Sequence, residues 1–182
     1  MKSRDRRTGI TLVHTGDGKG KSSSAFGMVF RAAGSGMRVC VIQFIKGGWK
    51  TGEQRAASHF DNIEWHVLGE GFTWKTGRGG KEPGQDRKSC REAWTFSQQK
   101  ILSEHFDMVV LDEINYCCGY GWLTGKEIAD FIRQQKPPWL HLVLTGRNAP
   151  QELIDVADTV TEMKMIKHAF EQGIKAQQGT EF

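Results

Sequence analysis

The sequence predicts an α/β fold in which a mostly parallel sheet of five or six strands has helices on both faces. Three observations lead to this prediction. Short apolar runs rich in β-branched residues recur along the chain, segments of helical length separate them, and Gly, Asp, Asn or Pro bounds most of the runs. Strands that alternate with helices favour βαβ units, which build parallel sheets buried on both faces.

Six apolar runs are the predicted strands, and each has the composition of a buried parallel strand. They span residues 9–15, 38–45, 62–69, 107–113, 140–146 and 159–166. Four helices are predicted between them, over residues 22–33, roughly 84–104, 124–135 and 150–157. The segment from Gly34 to Gly36 ends the first helix, and the Lys-Pro-Pro of 136–138 ends the third. The glycine-rich stretch 68–84 is the one long irregular insertion, and such loops are usually functional or mobile.

Composition limits the classes of protein to consider. A length of 182 residues with 25% charged residues suits one globular domain over 9–182, after a short basic extension at 1–8. No run of 18 apolar residues occurs, so we expect no membrane span, and the charged, polar amino terminus leads us to expect no secretory signal. The net charge of +4 suits an anionic small molecule and is too small to indicate nucleic acid. Four cysteines without CxxC spacing favour a reducing cytoplasm.

The stretch HTGDGKGKSSSAFG, residues 14–27, directly follows the first predicted strand. Its alternating glycines let backbone N–H groups converge on an anion without interference from Cβ atoms. The helix that follows adds the positive end of its dipole, and Lys21 adds a full charge. The hydroxyl of Ser22 or Ser23 suits a magnesium ion that bridges phosphates. We therefore predict a phosphate-binding loop formed by Gly16, Asp17, Gly18, Lys19, Gly20, Lys21, Ser22 and Ser23.

This loop departs from the usual GxxxxGK[ST] pattern. Thr15 stands where the first glycine is expected, and GDGKGKS, which starts at Gly16, is one residue shorter. The alternative interpretation is a glycine-rich turn whose lysines are only solvated. The strand before the loop and the helix after it favour phosphate binding.

A second motif, MVVLDEIN, is an apolar strand that ends in Asp112 and Glu113. In P-loop proteins such a strand end faces the phosphates and holds magnesium, directly or through water. The two motifs together predict a P-loop domain that binds a nucleoside triphosphate, with Mg²⁺ held by Ser22 and by one or both acids. Either acid can be structural, and the sequence leaves that choice open.

Seven stretches in order resemble the P-loop family of ATP:corrinoid adenosyltransferases, the cob(I)yrinic acid a,c-diamide adenosyltransferases of vitamin B12 synthesis and salvage. They are TGDGKGKSSSAFG, VIQFIKGGWKTGE, LGEGFTWKT, MVVLDEINY, TGRNAP, ADTVTEM and HAFEQGIKAQQGTEF. The resemblance runs from near Gly9 to the carboxyl terminus, and the ordered combination is far more specific than any one motif. It implies a RecA-like P-loop domain that transfers the 5′-deoxyadenosyl group of ATP to the Co(I) of a corrinoid, leaving triphosphate.

The resemblance also accounts for the short loop. In the family this loop holds ATP reversed relative to other P-loop proteins, so that triphosphate is the leaving group. Lys21, the loop amides and magnesium would then stabilise the charge that develops on it. The reaction needs no general base, because Co(I) is itself a strong nucleophile.

Phe72 and Trp74 gain a catalytic role by resemblance. In the family, matching aromatic residues press on the lower face of the corrin ring and exclude its axial ligand, which eases reduction of Co(II) to Co(I). Two residues apart in an extended segment, their side chains would point to the same side. The alternative is that they close a hydrophobic core under the loop.

Three further residues match positions near the nucleotide in the family. Arg31 matches a family arginine, and the alternative is a charge on the surface of the first helix. Arg147 follows a predicted strand at the edge where ligands bind in open α/β sheets, and it either reaches phosphate or pairs with an acid. His168 lies in the tail region, where packing is the alternative role.

The resemblance further implies a homodimer and a reduced flavoprotein, such as a flavodoxin, as electron donor. Family members commonly carry a longer amino-terminal helix over a neighbouring active site, and residues 1–8 are too short for a comparable lid. Two other functions remain open. One is a P-loop ATPase or kinase in which Glu113 or Asp112 activates water or a hydroxyl, and the other is a carrier that binds nucleotide and corrinoid without turnover.

Overall fold

The protein is described by a computed structural model over residues 8–45, 51–68 and 85–181. Within these residues six strands form one sheet, and every pairing is parallel. The strands are β1 (Thr11–Thr15), β2 (Val39–Gln43), β3 (Ile63–Val67), β4 (Met108–Asp112), β5 (His141–Thr145) and β6 (Thr159–Glu162). Their spatial order is β3-β2-β4-β5-β1-β6, which confirms the predicted α/β sheet and its six strands.

The helices alternate with these strands. They are α1 (Lys21–Gly34), α2 (Gly52–Ala57), α3 (Gln85–Leu102), α4 (Ile114–Gly119), α5 (Gly125–Gln135) and α6 (Gln151–Val156), with a 3₁₀ helix at Ala169–Gln172. The four predicted helices correspond to α1, α3, α5 and α6, whereas the short helices α2 and α4 were not predicted. None of the helices in the described ranges is long and apolar enough to cross a membrane.

Two hydrophobic layers cover the sheet. Val39, Val41 and Val110 point to the face that packs against α1. Cys40, Ile42 and neighbouring strand residues point to the opposite face, under α3, α4, α5 and α6. This alternation follows from the two-residue period of a strand, and it confirms that helices lie on both faces.

The prediction that all six strands are buried was wrong for two of them. All four residues of β6 are exposed, and all five of β3 are only partly buried. These strands form the two ends of the sheet, so each has a neighbouring strand on one side only. An apolar, β-branched run does not reveal which strand lies at an edge.

Parallel strands all end at the same side of a sheet. Because β5 lies between β1 and β4, the loops that follow these three strands meet there. We call this side the carboxyl edge, and in open α/β sheets it is where ligands bind.

Candidate active site

The loop after β1 follows a path that requires glycine. Gly16 and Gly20 have φ values of 93° and 112°, in the left-handed region that favours this residue. A Cβ atom on Gly16 would lie 2.5 Å from the Met163 carbonyl oxygen, and one on Gly18 would lie 2.7 Å from it. The Gly18 N–H donates to the same oxygen at 2.7 Å. The loop is therefore held against the residue that follows β6.

The amino terminus of α1 follows this loop directly. Gly20 occupies the capping position and offers no side-chain cap, and the first turn of α1, all of it described, carries no acidic residue. The positive end of the helix dipole is thus not compensated within the helix. Ser22, which is half-buried, and Ser23, which is exposed, lie in this first turn. The arrangement is that of an anion-binding site.

Lys21 folds its side chain back over the loop. Its Nζ donates to the carbonyl oxygens of two loop glycines, at 2.7 and 2.6 Å. Burial, and after it the Arg147 guanidinium, lowers the pKa of Lys21, whereas Asp17 and Glu113 raise it. Two cations and two carboxylates therefore interact at the carboxyl edge.

His14 holds the first turn of α1 from the end of β1, a role that the sequence did not predict. The ring is buried at the end of β1, and its Nδ1 lies 2.8 Å from Ser24 Oγ. Ser24 Oγ also donates to the Lys21 carbonyl oxygen at 3.0 Å. Burial lowers the pKa of His14 and so favours the neutral ring. The contact fixes the first turn of α1 relative to β1.

Asp112 is fully buried at the end of β4, and both carboxylate oxygens accept hydrogen bonds. Oδ1 accepts from Thr145 Oγ1 at 2.7 Å and Oδ2 accepts from Gln43 Nε2 at 2.8 Å. The Trp65 indole N–H donates to Gln43 Oε1 at 3.0 Å. The resulting network joins β3, β2, β4 and β5. Sequence reasoning missed Gln43, although a polar residue inside an apolar run was a usable signal.

Glu113, the second predicted acid, has a different environment. It is only partly buried, its φ of 68° is left-handed, and its N–H donates to Thr145 Oγ1 at 2.9 Å. This turn separates Glu113 from the buried end of β4 and leaves its carboxylate within electrostatic range of Lys21.

Arg147 enters the site from the loop after β5. The Gly146 N–H donates to the His14 carbonyl oxygen at 3.1 Å, which brings this loop beside β1. Arg147 Nε lies 3.9 Å from Asp17 Oδ1, and both side chains are largely exposed. The structure thus brings Arg147 together with the phosphate loop.

The carboxyl-terminal tail also reaches the loop, through an ion pair between Lys19 and Glu181. The Lys19 hydrogen bond, and more weakly the charge of His168, holds the pKa of the Glu181 carboxyl below its ordinary value. His168 itself caps the 3₁₀ helix, and its Nδ1 accepts from the Phe170 N–H at 3.1 Å. The charge effect on Glu181 is the link between His168 and the loop residue Lys19, and the role of His168 at the nucleotide stays a prediction.

Two groups of predicted residues are not brought together with Lys21 in the described part of the chain. Arg31 is exposed and lies ten residues farther along α1, about 15 Å away by the rise of an α-helix. Phe72 and Trp74 lie outside the described residues. Their roles stay predictions.

Another set of potential metal ligands lies on β2 and β3. Ligand atoms of Cys40, Glu64 and His66 lie within 4.8 Å of one another. Lys100 already forms an ion pair with Glu64, and burial raises the pKa of Cys40 to about 12. A cation here would have to displace an ammonium group and deprotonate a buried thiol, so we assign no metal centre to this set.

Comparison with a solved structure supports the fold. The cytoplasmic domain of EssC aligns with a TM-score of 0.54 at 10% sequence identity, covering 93% of this chain and 34% of that one. This chain therefore spans about a third of the length of that structure, and the likeness concerns the fold alone.

Sequence comparisons identify the family. The family model of the ATP:corrinoid adenosyltransferase BtuR/CobO/CobP matches residues 7–182. A corrinoid adenosyltransferase of Pseudomonas aeruginosa is 48% identical over 99% of this chain and 86% of its own length. One of a Sinorhizobium species is 45% identical over 100% of this chain and 84% of its own length. The chain, with its P-loop-like sheet and glycine loop, belongs to the ATP:corrinoid adenosyltransferase family BtuR/CobO/CobP.

Proposed function

We propose that this protein transfers the 5′-deoxyadenosyl group of ATP to the Co(I) of a corrinoid and releases triphosphate. The observation that carries the proposal is that the region matched by the family model contains a loop suited to bind a polyphosphate. The family match spans residues 7–182 and contains a loop whose glycines, helix terminus and Lys21 suit a polyphosphate.

The residues at the carboxyl edge suit a reaction in which triphosphate leaves. The electron pair of Co(I) forms the bond to C5′ of ATP, the bond between C5′ and the triphosphate oxygen breaks, and its electrons remain on the leaving group. Lys21 and Arg147 stabilise that negative charge, because cations aimed at a developing charge lower the barrier. No proton is transferred, so the neutral His14 needs no catalytic role.

We assign the magnesium site to Glu113 and Ser22. Mg²⁺ prefers oxygen ligands and is commonly held by one or two protein oxygens together with the phosphates of the substrate. Glu113 and Ser22 supply such oxygens from the strand end and the first turn of α1. Magnesium bound there with ATP would neutralise charge on the triphosphate.

Asp112 has a positioning role in this proposal. Its buried oxygens already accept from Gln43 and Thr145, and Thr145 in turn accepts from the Glu113 N–H. Asp112 thus orients Glu113 through Thr145 instead of contacting the metal itself.

The corrinoid side of the proposal rests on Phe72 and Trp74 as an apolar wedge below the corrin ring. Such a wedge offers cobalt no lone pair and so keeps it four-coordinate.

A reduced flavoprotein such as a flavodoxin is the proposed electron donor. The cytoplasm is the proposed compartment, since all four cysteines are free thiols.

A homodimer is also proposed. Five large apolar residues are exposed on β6 and the tail that follows it: Val160, Met165, Ile166, Phe170 and Ile174. Large apolar side chains exposed in this number along one segment are typical of a protein interface. Sedimentation of the purified protein measures this directly.

The proposed function is tested by incubating the protein with ATP, magnesium and chemically reduced cobalamin. We expect a light-sensitive corrinoid spectrum from a new cobalt–carbon bond, together with free triphosphate. Release of phosphate or diphosphate without that spectrum would instead identify an ATPase or kinase. Binding of both ligands without a cobalt–carbon bond would identify a carrier.

A further inference from the structure

Asn115 lies behind the carboxyl edge, two residues after Glu113, and is fully buried. Its Nδ2 donates to the Gly146 carbonyl oxygen at 3.0 Å. Among the described residues its Oδ1 has no hydrogen-bond partner. The side chain is therefore fixed chiefly through its donor to Gly146.

Gly146 is held from two sides. Its N–H donates to the His14 carbonyl oxygen at 3.1 Å, and its carbonyl oxygen accepts from Asn115. Its φ is 132°, and a Cβ atom there would lie 2.9 Å from Asn115 Cβ. The N–H of Gly146 is thus held by β1, and the peptide between Gly146 and Arg147 is oriented through its carbonyl oxygen by Asn115 of α4.

This peptide carries the arginine that faces the phosphate loop. Arg147 Nε lies 3.9 Å from Asp17 Oδ1, and the Arg147 side chain is 49% exposed, so about half of its surface is open to a ligand. A guanidinium binds phosphate through a planar set of donors, and the direction of its approach decides how many of them engage. The backbone before Arg147 sets that direction.

We propose that Asn115 is a positioning residue for Arg147, because its hydrogen bond to Gly146 aims the guanidinium at a polyphosphate in the loop. The inference rests on the proposed function, in which Arg147 contacts the triphosphate. Asn115 acts only through Gly146 and Arg147.

A double-mutant cycle tests the inference with magnesium tripolyphosphate as the ligand. Asn115→Leu keeps the branching of the side chain but removes the donor, and Arg147→Met removes the guanidinium. We expect each single variant to raise the Kd about 10- to 100-fold, the usual effect of losing a charge-assisted hydrogen bond. The double variant should bind no more weakly than Arg147→Met, within about two-fold, because the two residues act as one unit.

Asn62→Leu is the matched control. Asn62 Nδ2 also donates to backbone carbonyls, those of Ala33 at 2.9 Å and Met37 at 2.8 Å, but these lie at the far end of α1. This variant should lower the Tm and leave the Kd unchanged. If Asn115→Leu gives the same result as Asn62→Leu, or if its loss multiplies with that of Arg147→Met, Asn115 does not position Arg147.

The remaining outcomes are also decisive. If Arg147→Met binds tripolyphosphate as tightly as the wild type, Arg147 makes no phosphate contact for Asn115 to position, and the inference fails. Adenosyl transfer by the wild type would still support the proposed function. If Asn115→Leu does not fold, Asn115→Ser replaces it in the same cycle, with the same supporting and contradicting results.

Discussion

The strands begin at one side of the sheet, the amino edge, and end at the other, the carboxyl edge. Similar polar residues have different partners at these two sides. At the amino edge, where the strands begin, side chains bind backbone groups. Asp158 accepts from the Thr11 N–H at 2.7 Å, Asp107 accepts from the Arg38 N–H at 2.8 Å, and Lys136 Nζ donates to the Leu140 carbonyl oxygen at 2.8 Å. At the carboxyl edge charged side chains mainly face one another.

Lys21 and Lys136 make the contrast sharp. Both ammonium groups donate to backbone carbonyls, and burial is the main cause that lowers the pKa of each. The two differ in their neighbours, since Lys21 lies near Arg147 and two carboxylates, whereas Asp158 is the charged neighbour that raises the pKa of Lys136 among the described residues. The same local chemistry thus joins backbone segments at the amino edge, and in the proposed function it provides a charge for the triphosphate at the carboxyl edge.

The largest expected effect comes from exchanging each lysine for methionine, which keeps the apolar stem. Lys21→Met should nearly abolish adenosyl transfer, since it removes a charge-assisted contact worth about 1.5–3 kcal/mol or more, with little change in Tm. Lys136→Met should lower stability by about 1–3 kcal/mol because buried carbonyls lose their donor, with kcat/KM unchanged below the Tm. If both variants lose activity and stability in parallel, the two edges do not differ as described.

Phe72 and Trp74 extend the comparison to a segment outside the described residues. If they form the wedge, replacing both by alanine should steeply slow the reaction driven by a flavin donor, because cobalt then stays five-coordinate. Chemically pre-reduced Co(I) should react at close to the normal rate. A core role predicts a loss of roughly 3–5 kcal/mol for each buried aromatic residue, with equal losses in both assays. Paired activity assays and thermal melting on one variant separate the two outcomes.

Asp112 and Glu113 are neighbours in the chain, and we expect the first to stabilise the fold and the second to bind magnesium. Glu113→Gln should raise the magnesium concentration needed for half-maximal activity by about 10-fold, since it weakens a metal ligand. Asp112→Asn should mainly lower stability, by about 1–3 kcal/mol, because one of its two donors then faces an amide N–H. An unchanged magnesium requirement in Glu113→Gln would move the metal site elsewhere.

The smallest expected effect is a pH dependence due to His14. Burial lowers the pKa of His14 in the folded state, so the unfolded chain takes up its proton first as the pH falls below about 6.5. The free energy of unfolding should therefore decrease from about pH 6.5 downwards, and less so in His14→Asn. Urea titrations across this range measure the difference, with the exposed His59→Asn as control. An equal slope in wild type and His14→Asn would contradict the burial argument.

The sequence predicts the strands, the long helices and the phosphate loop because each has a local signal. The alternation of short apolar runs with helical segments is one such signal, and the glycines around Lys21 are another. The ordered motifs allowed the family to be predicted as well, and the family match confirms it.

The parts that the sequence did not predict depend on which strands become neighbours. Gln43 and Asp112 are 69 residues apart in the chain, and they meet because β2 pairs with β4. Asn115 meets Gly146 because β5 lies beside β4. No local pattern contains these pairings, and the same holds for the edge positions of β3 and β6.

The proposed function requires the triphosphate to lie at the carboxyl edge of the sheet and not at the amino edge. Amide hydrogen exchange of the wild-type protein, with and without magnesium tripolyphosphate, tests it most directly. We predict slower exchange on binding at residues 16–23, 113–116 and 146–148, and unchanged exchange at residues 9–11, 107–108 and 139–141. Slower exchange at the amino-edge residues, with none in the loop, would contradict the claim.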